Sequence, residues 1–188
     1  MARPLSDEKY DAILAAATRI IAAEGVSAPT AKIARDAGIA GGTLFTYFAT
    51  KDTLLNALYR SLKADIADAI MDGYPDRSAA LMRTRHVWDR YIDWGIREGT
   101  KRQTMAQLAV SHRVSRDAME DALEPLLALD TMLADCADGS TGLTNGHVAA
   151  IMTALANVTI DFAERDPANA ASHIDLGFAA FWRAVGEQ

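Results

Sequence analysis

The chain has 188 residues, half of them apolar, a formal net charge of −6 and a single cysteine. That length can bury a full core in one or two domains. One cysteine excludes an internal disulfide and suits a reducing interior, and the acidic balance argues against a protein that coats nucleic acid through bulk positive charge.

Met1–Leu5 is short and polar, unlike a secretory signal, and the apolar runs fall short of the roughly 20 residues of a bilayer span. The expectation is a cytoplasmic protein with no membrane partner.

The first element is a helix over Asp7–Glu24, with Tyr10, Ile13, Leu14, Ala17, Ile20 and Ile21 at helical spacing, Ser6 placed as N-cap and Gly25 as stop. A short helix follows from Thr30 to Ala37, its apolar side made by Ile33, Ala34 and Ala37. Gly38 supplies the backbone angle for a tight stop, and Ile39 plugs the turn Gly38–Ala40. On the next helix the spacing puts Leu44, Phe45 and Phe48 on a packing side and Thr43, Thr46 and Tyr47 on an outward side. Two short helices around a glycine turn, the second with a polar outer stripe, are the pattern of a helix-turn-helix.

The order Thr30-Ala-Lys-Ile33-Ala34, Ala37-Gly38-Ile39, Gly42-Thr43-Leu44-Phe45-x-Tyr47-Phe48 and Lys51-Asp52-x-Leu54-Leu55 resembles the N-terminal signature of the TetR family of bacterial transcriptional regulators over roughly residues 7 to 55. The resemblance implies an all-α fold: an N-terminal three-helix head, joined by a long helix to a C-terminal helical bundle body that dimerises. It also implies a ligand-responsive repressor that binds a pseudo-palindromic operator in double-stranded DNA, with no cofactor. A constitutive or activating DNA-binding dimer that meets a protein partner is the alternative.

Three positions depart from the family pattern. Ala40 stands where the family usually has Ser, so the N-cap of the recognition helix is missing, a change of ~1 kcal/mol in helix stability. Gly41 replaces a frequent polar side chain and Phe45 a frequent Tyr. The recognition helix has no Lys or Arg, so bidentate Arg–guanine readout is unavailable from it.

Base contact therefore falls to Thr43, Thr46 and Tyr47, with close backbone approach at Gly41 and Gly42. Lys51 is the best candidate phosphate contact, and the resemblance gives that position the same role. Thr30 at a helix N-terminus is a second phosphate site and Lys32 a third.

Divided at residue 52, the chain has six basic and six acidic side chains before the boundary, and the acidic excess lies wholly beyond it. Residues 1–52 are read as the DNA-binding domain and 53–188 as the effector-binding and dimerisation domain. A neutral head predicts weak non-specific binding and a modest salt dependence.

Beyond the head, Lys51–Asp72 has Leu54, Leu55, Leu58, Tyr59, Leu62, Ile66 and Ile70 in helical register. Helices then follow over Ser78–Glu98, around Gln103–Ser111, and from about Ser115 to Ala137, interrupted or bent near Pro125. Gly139–Gly146 reads as a linker without a phosphate-binding pattern.

Two apolar helices close the chain, about Asn145–Arg165 and Ala170–Val185, separated by Asp166-Pro167. Their stripes, widened by small residues, suggest burial on two sides, so Ile151, Leu155, Val158, Phe162, Phe178, Phe181, Trp182 and Val185 are read as the interface of a homodimer. Two heads about a two-fold axis would read half-sites ~34–36 Å apart.

The middle helices are rich in aromatic residues and methionine. Trp88, Tyr91, Trp94, Met105, Leu108, His112, Met119 and Asn157 are the candidate lining of an effector pocket.

An enzyme finds little support. The four histidines, His86, His112, His147 and His173, lie at least 26 residues apart, without His-Glu-x-x-His or paired cysteines, so neither a metal site nor a catalytic constellation has its usual local spacing. Cys136 has no basic neighbour in Leu133–Gly139 and reads as structural.

Overall fold

The computed structural model describes residues 6–136 and 142–185. Met1–Leu5, the start of the Gly139–Gly146 linker and Ala137 lie outside the described residues. Within them the chain forms ten α-helices and two 3₁₀ segments, with no strand. They fold into two compact units, one of residues 1–64 with 98–124 and one of residues 65–97 with 125–188. The first boundary between the units, at residues 64 and 65, falls inside a helix.

The first unit begins with α1 (Asp7–Glu24), which buries Ile13, Leu14, Ala16, Ala17 and Ile21 and ends at Gly25 with φ 81°. α2 (Thr30–Asp36) and α3 (Gly41–Tyr47) follow, and Gly38 between them has φ 69°, the left-handed angle that a side chain disfavours. Ala40 precedes α3 without a side-chain cap. The Arg19–Asp36 pair at 2.7 Å and the Lys32–Glu24 pair at 2.6 Å tie α2 to α1.

α4 (Lys51–Met71) starts behind Thr50, whose Oγ1 accepts the Thr53 N–H at 3.1 Å. It lays Leu54, Leu55, Leu58 and Leu62 into the same core as Ile13, Ile33, Leu44 and Phe48. Each such side chain, fully buried, contributes about 1.5–3 kcal/mol of transfer free energy.

α5 (Ala80–Arg97) belongs to the second unit, but α6 (Gly99–Val110) returns to the first. α6 packs on α1, where Thr104 Oγ1 donates to Thr18 O at 2.8 Å. α7 (Arg116–Asp121) is capped by Ser115, whose Oγ accepts from the Ala118 N–H at 3.2 Å. Leu108, Val114 and Ala118 of these late segments complete the head's core.

The expected long helix from Ser115 is thus three pieces: α7, a 3₁₀ segment over Glu124–Leu129, and α8 (Asp130–Cys136). Pro125 lacks the N–H and crowds the preceding turn, so of the two expected outcomes, interruption or bend, the helix is interrupted there.

In the second unit α9 (Asn145–Arg165) is opened by a capping box, with Thr144 accepting the His147 N–H and the His147 ring accepting the Thr144 N–H. α10 (Ala170–Val185) runs back along it, and both pack with α5. α9 is long and apolar enough to span a membrane, which the sequence reading did not expect. Here it buries Val148, Met152, Ala156, Ile160 and Ala163 within its own unit as a core helix.

Buried Cys136 lies 3.1 Å from Thr84 Oγ1, and burial pushes its thiol above the usual range, in keeping with a structural role.

Candidate nucleic-acid interface

Leu44 and Phe48, both buried, mark the centre of the stripe that α3 turns inward. At about 100° per residue, Phe45 and Tyr47 flank that centre at similar angles on opposite sides, while Thr46 points directly away. Periodicity alone cannot tell which flank folds in.

The neighbours decide it. The Tyr10 ring lies tilted against Phe48 at 5.1 Å, and the Ser6 backbone N–H donates to Tyr47 Oη at 2.9 Å, so the Tyr47 side is covered and the ring packs against the core. Phe45, expected to pack, is instead 49% exposed. Tyr47, expected outside, is half-buried. Because its oxygen accepts from Ser6, its phenolic proton is the part left to donate.

The rest of the outward stripe lies where the spacing puts it. Thr46 is exposed, with its hydroxyl donating to Gly42 O at 3.2 Å, and Thr43 is half-exposed. Gly41 and Gly42 are exposed, and a methyl group on either would meet no neighbouring atom within 4 Å. No packing requirement inside the protein calls for glycine at these two places.

Lys51, in the first turn of α4, donates to Ala28 O at 2.6 Å, just before the start of α2 at Thr30. Partial burial, and then the nearby Arg113 cation, hold its ammonium below the usual lysine range, with Asp52 opposing. Lys51 and half-exposed Thr30 thus lie at neighbouring helix starts, whereas Lys32 is already engaged by Glu24.

The residues expected to line an effector pocket fall in both units. Leu108 is buried in the head's core with Met105 against it, and His112 and Met119 are exposed on that same unit. His112 carries a positive φ of 54°.

The others belong to the second unit. Trp88 is fully buried, stacked at 6.0 Å on Phe181, with its indole N–H donating to Ile174 O at 3.2 Å. Trp94 donates to Asp65 Oδ2 at 2.7 Å and its ring lies 5.8 Å from Tyr91. Asn157 is half-buried.

The expected dimer residues separate into two sets. Phe178, Phe181 and Val185 are buried within their own unit, a correction to their reading as interface. Trp182 is half-buried, stacked at 6.2 Å on Phe178. Val158 and Phe162 are 52% and 51% exposed, Ile151 and Leu155 are half-exposed on the same face of α9, and Leu176, missed by the sequence reading, is 62% exposed on α10. The apolar stripes of both helices are continuous around more than one side, so hydropathy alone did not separate inner from outer residues.

Residues 13–58 match the family model described as bacterial regulatory proteins, tetR family. The whole chain is similar to a tetR family transcription regulator from Shewanella sp. PV-4, with 25% identity, a TM-score of 0.82, and coverage of 97% of this chain and 100% of that one. A TetR family regulator from Marinobacter aquaeolei VT8 shares the fold at 21% identity and a TM-score of 0.76, over 97% of each chain. So does the regulator FadR from Bacillus subtilis, solved in complex with stearoyl-CoA, at 19% identity and a TM-score of 0.65, over 90% of this chain and 97% of that one. The match over residues 13–58 places the helix-turn-helix head with the tetR family's regulatory proteins, and the rest of the chain shares the fold of tetR family transcription regulators.

Proposed function

We propose that this regulator binds a pseudo-palindromic operator as a homodimer and releases it when a small molecule occupies the body. The observation that carries the DNA half is the outer face of α3, where Gly41, Gly42, Thr43 and Thr46 are open and unneeded for internal packing. Phe45 adds an exposed ring suited to thymine methyls, and Lys51, Thr30 and the Tyr47 hydroxyl are the phosphate contacts. The dimer half is supported by Val158, Phe162 and Leu176, large apolar side chains exposed on the two last helices of one unit.

Ligand response is supported by the likeness to the stearoyl-CoA-bound FadR. An effector would act by preferring one conformational population over another, lowering operator affinity only by its differential binding energy. Residues 1–52 remain the proposed DNA-binding part. A regulator without an effector is the second reading, favoured by the packing of Trp88, Met105 and Leu108, which are held by the protein's own cores.

Selection of bound fragments from random DNA tests the first half, with an enriched inverted repeat as the expected result. Lys51→Ala should then weaken binding to every sequence and flatten its salt dependence, while Thr46→Ala relaxes preference at particular bases. No enrichment overturns the operator reading. A thermal-shift panel of acyl and planar aromatic compounds tests the second half, and failure of all to raise the Tm favours the effector-free reading.

A further inference from the structure

The segment after α6 is fastened along α4 by three polar contacts. Arg113 Nη2 lies 2.5 Å from Asp52 Oδ1. Asn56 Oδ1 accepts the Ser115 N–H at 3.0 Å. Arg60 donates to Asp121 Oδ2 from Nε at 3.0 Å and from Nη2 at 2.8 Å. Asp52, Asn56 and Arg60 recur every four residues and so share one face of α4. The clasp delivers Arg113, distant in sequence from the helix-turn-helix, to the helix start where Lys51 stands.

Two cations brought together at one helix start make a place where an anion is favoured, and the field of Arg113 is felt at the Lys51 ammonium. The Asp52 carboxylate is the anion present there. Both partners of the Arg113–Asp52 pair are exposed, and such a pair is worth little net, so exchanging its carboxylate for another oxyanion costs little. A guanidinium has five N–H donors in a planar fork and can keep one acceptor while offering the others.

On α3 itself there is no cation, and Lys32 and Arg19 are held by Glu24 and Asp36. Counted over the whole first unit, twelve basic side chains stand against eleven acidic ones, so its field is nearly neutral and local pairs must supply the attraction.

We propose that Arg113 is a DNA-backbone contact that joins Lys51 in holding a phosphate at the rim of the helix-turn-helix, with Asp52 as the carboxylate it exchanges for that phosphate. This rests on the DNA-binding reading above. Unlike the α3 contacts, it adds affinity without sequence preference.

The test is fluorescence anisotropy of the full chain on a selected duplex and on an unrelated one, across a range of monovalent salt. Arg113→Gln should weaken both complexes by the same factor and reduce the slope of log affinity against log salt by about 1. Asp52→Asn should strengthen both complexes, and that gain should shrink in the Arg113→Gln background. A clasp that is only structural would instead lower the Tm in both variants and leave the salt slope unmoved.

An unchanged slope in Arg113→Gln, or an equal Asp52→Asn gain in both backgrounds, overturns the proposal. If Lys51→Ala flattens the slope while Arg113→Gln does not, the DNA reading stands and only the role of Arg113 falls. A wild-type chain that ignores duplexes even in dilute buffer overturns both.

Discussion

Gly177 on α10 lies directly against Thr159 on α9, and a methyl group at Gly177 would run into the Thr159 hydroxyl and come within 2.8 Å of Trp88 Cζ2. Rotating Thr159 could move its oxygen, but its Cβ, at 3.2 Å, and the fully buried Trp88 ring would stay. Gly177→Ala should therefore destabilise the protein by about 1–3 kcal/mol, even though alanine is the better helix former by ~1 kcal/mol. Urea unfolding checks this, and a double cycle with Thr159→Ala should show a non-zero coupling.

Gly42 is also helical and has the opposite reason to be glycine. Nothing within 4 Å would meet an added methyl, so Gly42→Ala should stabilise the fold by roughly 0.5–1 kcal/mol. The same variant should bind DNA more weakly if backbone approach is what the glycine serves. A stabilised variant with unchanged DNA affinity would remove Gly42 from the interface.

Leu44 and Phe45 are chain neighbours with opposite surroundings, the first fully buried and the second half in solvent. Leu44→Ala should cost about 2–5 kcal/mol. Phe45→Ala should stay within about 0.5 kcal/mol of the parent, while changing preference at particular base pairs. Equal losses of stability in the two variants would contradict the orientation of α3.

For the dimer, Val158→Glu is a cleaner test than Phe162→Glu or Trp182→Glu, because Phe162 stacks on His173 and Trp182 on Phe178 inside their own unit. Sedimentation velocity should show the mass fall by half with helical circular dichroism retained. An unchanged mass would place the interface elsewhere.

Asp166 accepts from Asn169 Nδ2 at 2.9 Å and sits 3.2 Å from His173 Nε2 on the same oxygen, and these contacts, Asn169 first, hold its carboxyl below the ordinary range. A depressed carboxylate contributes stability above its unfolded-state pKa and loses it as pH falls through the folded-state value. Asp166→Asn should therefore melt below the parent at neutral pH, with the gap closing in acid. A gap that is constant with pH would assign the loss to geometry rather than charge.

Much of the fold was written in local pattern. α1, α9 and α10 stand where apolar spacing and stop signals put them, and Gly38 takes the left-handed angle expected of it, because helix periodicity and turn chemistry act over a few residues. Ala40 likewise leaves α3 without a side-chain cap, as its lack of a hydroxyl dictates.

The candidate site was legible only in part. Thr46, Gly41 and Gly42 follow from helix phase alone, but Phe45 and Tyr47 flank the buried stripe almost symmetrically, so only the arrival of Ser6 and Tyr10 on one side decided which was covered. Nor could spacing reveal that Leu108 joins the head's core or that Asp52 meets Arg113. The sequence by itself determined which segments become helices and that two of them frame a glycine turn. Tertiary structure decided which side of each apolar stripe is used, because that choice depends on partners many residues away whose packing leaves no local periodic trace.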